Sequence, residues 1–236
     1  MQLLSGSPAA RHSTSRAAAF IVAMLCTIQF SCASAGSAER WSDTYQSRLE
    51  VLALLQTLNA DILAASSATA TLERWCREHA MAANPTVIVQ RVDSIAKAPS
   101  PEQLERLRVS DASAVKYRRV RLQCGTHVLS EADNWYVPAR LTAQMNALLD
   151  TSDIPFGKVV RELSPYRRTF EARLLWSPLP AGWEMRRRLH SRFARQSLAI
   201  PKEVMVHRAV LYTSDHQPFS EVVETYQGNL FAFRRW

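Results

Sequence analysis

The chain has 236 residues, of which 47% are hydrophobic and 21% charged, and carries a formal net charge of +8. That length holds one ordinary domain with a full core, and the composition excludes a disordered chain. No stretch after residue 35 is apolar enough to span a membrane. The positive charge comes without a helix-turn-helix, ribonucleoprotein or glycine-loop motif, so nucleic acid is not the expected partner.

Residues 1–35 have the three parts of a secretory signal. Arg11, His12 and Arg16 make a basic start, Ala17–Phe30 is apolar, and Ala33-Ser34-Ala35 offers small residues for cleavage before Gly36. The expectation is an exported chain with one domain over 36–236. An uncleaved anchor, or a misplaced start and a cytoplasmic protein, are the alternatives. Two cysteines then remain, Cys76 and Cys124, either paired in an oxidising compartment or buried as thiols. No cysteine or histidine spacing suits a metal.

Apolar residues at helical spacing, Leu49, Leu52, Leu55, Leu58 and Ile62, predict a helix over 43–64. Ala65–Ala70 reads as a break and Thr71–Ala82 as a second helix, ended by Asn84-Pro85. Thr86–Val92 is a β-branched strand, and Glu102–Leu107 a short helix. The run from Tyr117 to Val137 reads as a hairpin turning at Gly125-Thr126-His127. In its first strand Val120, Leu122 and Cys124 alternate with Arg119, Arg121 and Gln123. The arginine face is either solvated or a place to hold a carboxylate.

Leu141–Leu149 and Lys158–Leu163 read as helices on either side of the turn Asp153–Gly157, and Thr169–Trp176 as a strand. Met185–Ser197 is an arginine-rich helix or loop. Val204–Tyr212 and Phe219–Phe233 are the last strands. Helices followed by mostly antiparallel strands give an α+β class. In the last strand Glu224 shares a face with Val222 and Tyr226. A carboxylate there is paired, protonated or functional if the face is buried, and ordinary if it is exposed. Ser214-Asp215-His216 are adjacent turn residues and cannot form a relay triad.

The chain resembles the chorismate lyases, also called 4-hydroxybenzoate synthases. These share a fold with ligand-sensing effector domains of certain bacterial transcription regulators. Arg119, Leu122, Cys124, Ala132, Pro138 and Leu141 fall in step with the family's strand motif. Ile154-Pro155-Phe156-Gly157 echoes its Thr-Pro-Leu-Gly turn, and Pro218 with Glu224 its C-terminal strand. The resemblance implies an antiparallel sheet of about six strands with helices packed on it and an internal pocket under helical flaps. It implies Arg119 gripping a ring carboxylate and Glu224 on the far ring oxygen as acid or hydrogen-bond partner. Phe156 and Gly157 would line the pocket, with Ala70, between Thr69 and Thr71, on a flap.

Two departures stand out. Asn134 replaces a second arginine of the family, and Glu224 lies one residue further from its proline. The latter requires a bulge or another register, with Glu221 as the fallback. The implied reaction splits chorismate into 4-hydroxybenzoate and pyruvate, and gain of aromaticity drives it without metal or cofactor. The expected partner is a small anionic aromatic ligand, the expected state a monomer. Because chorismate is made inside cells, the alternative is an exported, non-catalytic binding module for a small aromatic or amphipathic acid.

Overall fold

The computed structural model describes residues 41–94, 96–185 and 193–233. In chain order these form β1 (Ser42–Asp43), α1 (Tyr45–Ala64), α2 (Ala68–Glu78), β2 (Val87–Arg91), α3 (Pro101–Leu107), β3 (Lys116–Cys124) and β4 (His127–Tyr136). Then follow α4 (Ala143–Thr151), α5 (Phe156–Val159), β5 (Tyr166–Leu174), β6 (Phe193–Ser197), β7 (Glu203–Tyr212) and β8 (Pro218–Gln227). The signal-like segment, Arg186–Arg188, Arg192, Arg234 and Arg235 lie outside the described residues.

The α+β expectation holds. A six-stranded sheet in the order β2-β3-β4-β8-β7-β5 is antiparallel throughout. β1 and β6 make a separate two-stranded ribbon. Val51, Leu55, Leu58 and Ile62 of α1 are fully buried on one stripe, which sets this helix against the rest of the core. Thr44 caps α1 by accepting from the Ser47 N–H. Among the described residues no helix is long and apolar enough to cross a membrane.

The second helix starts earlier than the sequence suggests. Ser67 accepts from the Ala70 N–H, so Ala68–Ala70, read as a break, form its first turn. It ends where Ala80 adopts φ 47° and the Met81 N–H returns to the Cys76 carbonyl. Cys76 and Cys124 form a disulfide with Cα atoms 6.1 Å apart, tying α2 to the end of β3. The last strand stops at Gln227 rather than Phe233. A Cβ on Gly228 would lie 2.2 Å from the Pro201 carbonyl oxygen, so a glycine lets the chain turn there into a short 3-10 helix.

The sheet has two unlike faces. On the inner one, Val120, Leu122 and Cys124 of β3 join Ala132 and Tyr136 of β4 and Val222 and Tyr226 of β8 in the main core. On the outer one, α3 is held by Arg106, which ion-pairs with Glu221 at 2.7 Å, and by Gln103, which donates to Glu221 at 3.2 Å. A smaller cluster of Leu107, Trp135 and Val137 packs beneath it.

Candidate functional site

Opposite α2, the inner face encloses a cavity of about 60 Å³. Its floor is Val120 and Leu122 of β3, Ala132 and Asn134 of β4, and Val222 of β8. Its roof is the entry to α2, from Ser66 to Thr69, and the start of α5 at Phe156 and Gly157. Gly157 allows the two roof pieces to meet, since a Cβ there would sit 3.2 Å from the Ser67 hydroxyl. Phe156 is fixed by the rings of Tyr136 and Phe219 at 5.6 and 6.3 Å.

Among the described residues, three charged side chains line this cavity: Arg118, Arg167 and Glu224. Arg118 shares the parity of Val120, Leu122 and Cys124 and faces inward beside Asn134. It is only 6% exposed. Its Nη2 donates to the carbonyls of Ser152 and Ile154, both at 3.3 Å, while Nε and Nη1 have no partner. Among the described residues Arg118 makes no ion pair. Burial first, and Arg91 second, pull its pKa down, but a guanidinium stays charged in a protein.

This corrects the register of the arginine face. Arg119 points to the outer side, where its guanidinium meets Glu131 at 2.5 Å and Asp133 at 3.2 Å. Arg121 reaches the same Glu131 at 3.4 Å. A hydrogen bond to Glu131, partly opposed by burial, holds the Arg119 pKa above its usual value. Arg119 is therefore an ion-pair member away from the cavity, and Arg118 occupies the position expected of it.

Glu224 does line the cavity, at 7% exposure. The extra residue between it and Pro218 is absorbed by a bulge: Leu211 pairs with Ser220 and Tyr212 with Pro218, leaving Phe219 between them. That bulge turns Glu224 inward and leaves the fallback, Glu221, on the outer face with Arg106. Arg167 Nη2 lies 2.6 Å from Glu224 Oε2, and the Tyr226 hydroxyl donates to the same oxygen at 3.0 Å. Burial opposes the Arg167 charge, and Glu224 outweighs it, so the guanidinium pKa is raised. One oxygen of Glu224 is thus met by the Arg167 cation and by the Tyr226 hydroxyl.

Asn134 faces the cavity as expected, its Oδ1 accepting from the Ser220 hydroxyl at 2.6 Å. Ala70 does not: it is exposed on the far side of α2's first turn, and Ala68 and Thr69 line the roof instead. Behind the site, His207 is fully buried, packs edge-on to Tyr226 at 5.2 Å, and contacts Asn59 Oδ1 through Nε2 at 2.8 Å. Burial pushes its pKa down to about 4. His79 is sandwiched between Trp75 and Phe233 at 4.0 and 4.4 Å, a packing role. His216 sits at φ 63° in the β7–β8 turn. Among the described residues no group of three or more acidic, histidine or cysteine side chains is placed to hold a metal.

No family model matches the chain. Among solved structures, the possible transcriptional regulator YydK from Bacillus subtilis aligns at 14% identity over 64% of this chain, with a TM-score of 0.38. That match spans 61% of the YydK chain, under two thirds of its length. The effector domain of PhnF from Mycobacterium smegmatis gives 12% identity over 61% of this chain and 82% of that one, with a TM-score of 0.39. At such scores neither assigns anything to this chain. Uncharacterized protein y4mC of Sinorhizobium fredii (strain NBRC 101917 / NGR234) is 46% identical over 198 residues, covering 84% of this chain and 83% of y4mC. The chain belongs to the same family as y4mC.

Proposed function

We propose that the chain binds a small aromatic acid in the internal cavity, with Arg118 taking the carboxylate. The observation that carries this is a buried cation on the cavity lining, two of whose nitrogens have no partner among the described residues. A buried lone charge is costly, and a carboxylate on its free edge would satisfy it by a charge-assisted pair. Glu224 at the site offers an acceptor to a ring hydroxyl. About 60 Å³ is far below the roughly 300–1,000 Å³ of clefts that take drug-sized ligands, and below the roughly 150 Å³ that holds a benzene ring. The roof between α2 and α5 must part to admit it.

A second reading is favoured by Arg118 and Glu224 meeting in one cavity. This is the arginine and acid pair that the resemblance to chorismate lyases implies, with the arginine moved by one residue. In that reaction the ring C–O bond breaks, the enolpyruvyl group leaves and is protonated to pyruvate, and the ring loses a hydrogen to become 4-hydroxybenzoate. The chain's part would be to hold the ring and exclude water. Chorismate is larger than its product by the enolpyruvyl group and needs a wider opening of the roof. Export of the chain remains part of the proposal, supported by the Cys76–Cys124 disulfide, which suits an oxidising compartment.

One experiment separates the readings. The full chain and its Arg118→Met variant are titrated with 4-hydroxybenzoate by calorimetry, and incubated with chorismate while 4-hydroxybenzoate and pyruvate are followed by chromatography. Saturable binding by the parent alone, with no product above the spontaneous background, supports the binding module. Product from the parent alone supports the lyase. No binding and no product from a folded parent refutes both.

A further inference from the structure

We infer that the cavity selects monoanionic carboxylates and rejects dianions of the same shape. The inference rests on the ligand-binding reading above and names its substrate class. Arg167 and Glu224 form a close pair at 2.6 Å and cancel. Among the described residues Arg118 is left as one uncompensated positive charge on the lining.

The neighbouring groups do not change that count. The Tyr226 hydroxyl is un-ionised, since burial and then Glu224 raise its pKa well above the usual value. His207 behind it is neutral, being held at about 4 by burial. Arg91, the cation closest in effect on Arg118, is paired with Asp93 at 3.0 Å, and Asp153 is exposed. An outer cleft shares Ser66, Ser67, Gly157 and Leu211 with the cavity. Its Lys158 is paired with Glu73 at 2.8 Å, and its Arg77 and Arg161 are exposed, where salt screens them.

A monoanion therefore brings the buried site to neutrality. A dianion leaves a net negative charge there. Leaving one net negative charge in a buried site, against none, corresponds to a penalty on the order of 100-fold in affinity.

The test uses two ligands of one shape, 4-carbamoylbenzoate and terephthalate, titrated into the full chain by calorimetry at high ionic strength. The amide ligand should bind tighter by on the order of 100-fold. Glu224→Gln raises the lining to two positive charges and should collapse or reverse that ratio. Arg167→Met with Glu224→Gln restores a single positive charge without any pair and should restore the preference. The double variant carries the test if Glu224→Gln alone does not fold. Equal or tighter binding of terephthalate by the parent overturns the inference while leaving a binding site in place. Failure of the folded parent to bind either ligand, or 4-hydroxybenzoate, instead overturns the binding reading on which it rests.

Discussion

Replacing Arg118 by methionine should stabilise the fold while abolishing ligand binding. The guanidinium is 6% exposed, has no ion-pair partner among the described residues, and makes two long bonds at 3.3 Å to loop carbonyls. Burying a lone cation costs several kcal/mol, and well-made hydrogen bonds from a charged group return about 1.5–3 kcal/mol each. At 3.3 Å the return is smaller, and methionine keeps most of the stem's packing. The net gain should be about 1–2 kcal/mol. Arg167→Met should act with the opposite sign. It strands Glu224, 7% exposed, as an unpaired buried carboxylate. Breaking a buried pair in this way costs about 3–5 kcal/mol. Urea unfolding followed by tryptophan fluorescence measures both, and calorimetry with 4-hydroxybenzoate measures binding. A loss of stability in Arg118→Met, retained binding by it, or a neutral Arg167→Met would each refute the assignment of a free and a paired arginine to one cavity.

Three other perturbations read different parts of the same core. Reducing or deleting Cys76–Cys124, which closes a separation of 48 residues, should lower stability by up to about 4 kcal/mol, measured by urea unfolding with and without reductant. His207, neutral in the fold with a pKa of about 4, returns to about 6.5 when unfolded. The unfolded chain then binds the extra proton, so this contribution is complete above pH 6.5 and lost as pH falls toward 4, at most about 3 kcal/mol. A denaturation series over that window should show the slope in the parent and a shallower one in His207→Gln. Gly228→Ala drives a methyl to 2.2 Å from the Pro201 carbonyl and should cost about 2 kcal/mol or more by thermal melting, because backbone cannot swing aside.

The antiparallel class and most of the sheet were legible because period-2 and helical spacing report which residues share a face, whereas spacing alone left open whether the face of Glu224 is buried, and β1 and β6 carry no such pattern. The inward arginine lies one residue before the one that the pattern predicts, for a definite reason. The even row of β3 looks wholly apolar from Val120 onward, and the odd row holds the charges, so polarity points to Arg119. Extending the even row back one step reaches Arg118. Its burial depends on the Ser152–Ile154 loop and on Asn134 across the strand pair, which no local pattern encodes. The outward arginines found carboxylates within their own hairpin, Glu131 and Asp133, and those partners were present in the sequence.

Arg167 lies outside the strand that the sequence pattern predicts from Thr169, whereas pairing with β7 starts at Tyr166. Its importance also rests on Glu224, 57 positions away and two strands across the sheet. The charge of a buried site is a sum over strands that meet only after folding. A lone conspicuous cation in a strand is therefore a poor guide to a binding site when a carboxylate lies opposite it. The informative cation is the one the hairpin leaves unpaired, because an unpaired buried charge is costly and a ligand anion would relieve that cost. By that criterion the proposed ligand is built around Arg118, with the Arg167–Glu224 pair proposed to set what its far end can carry.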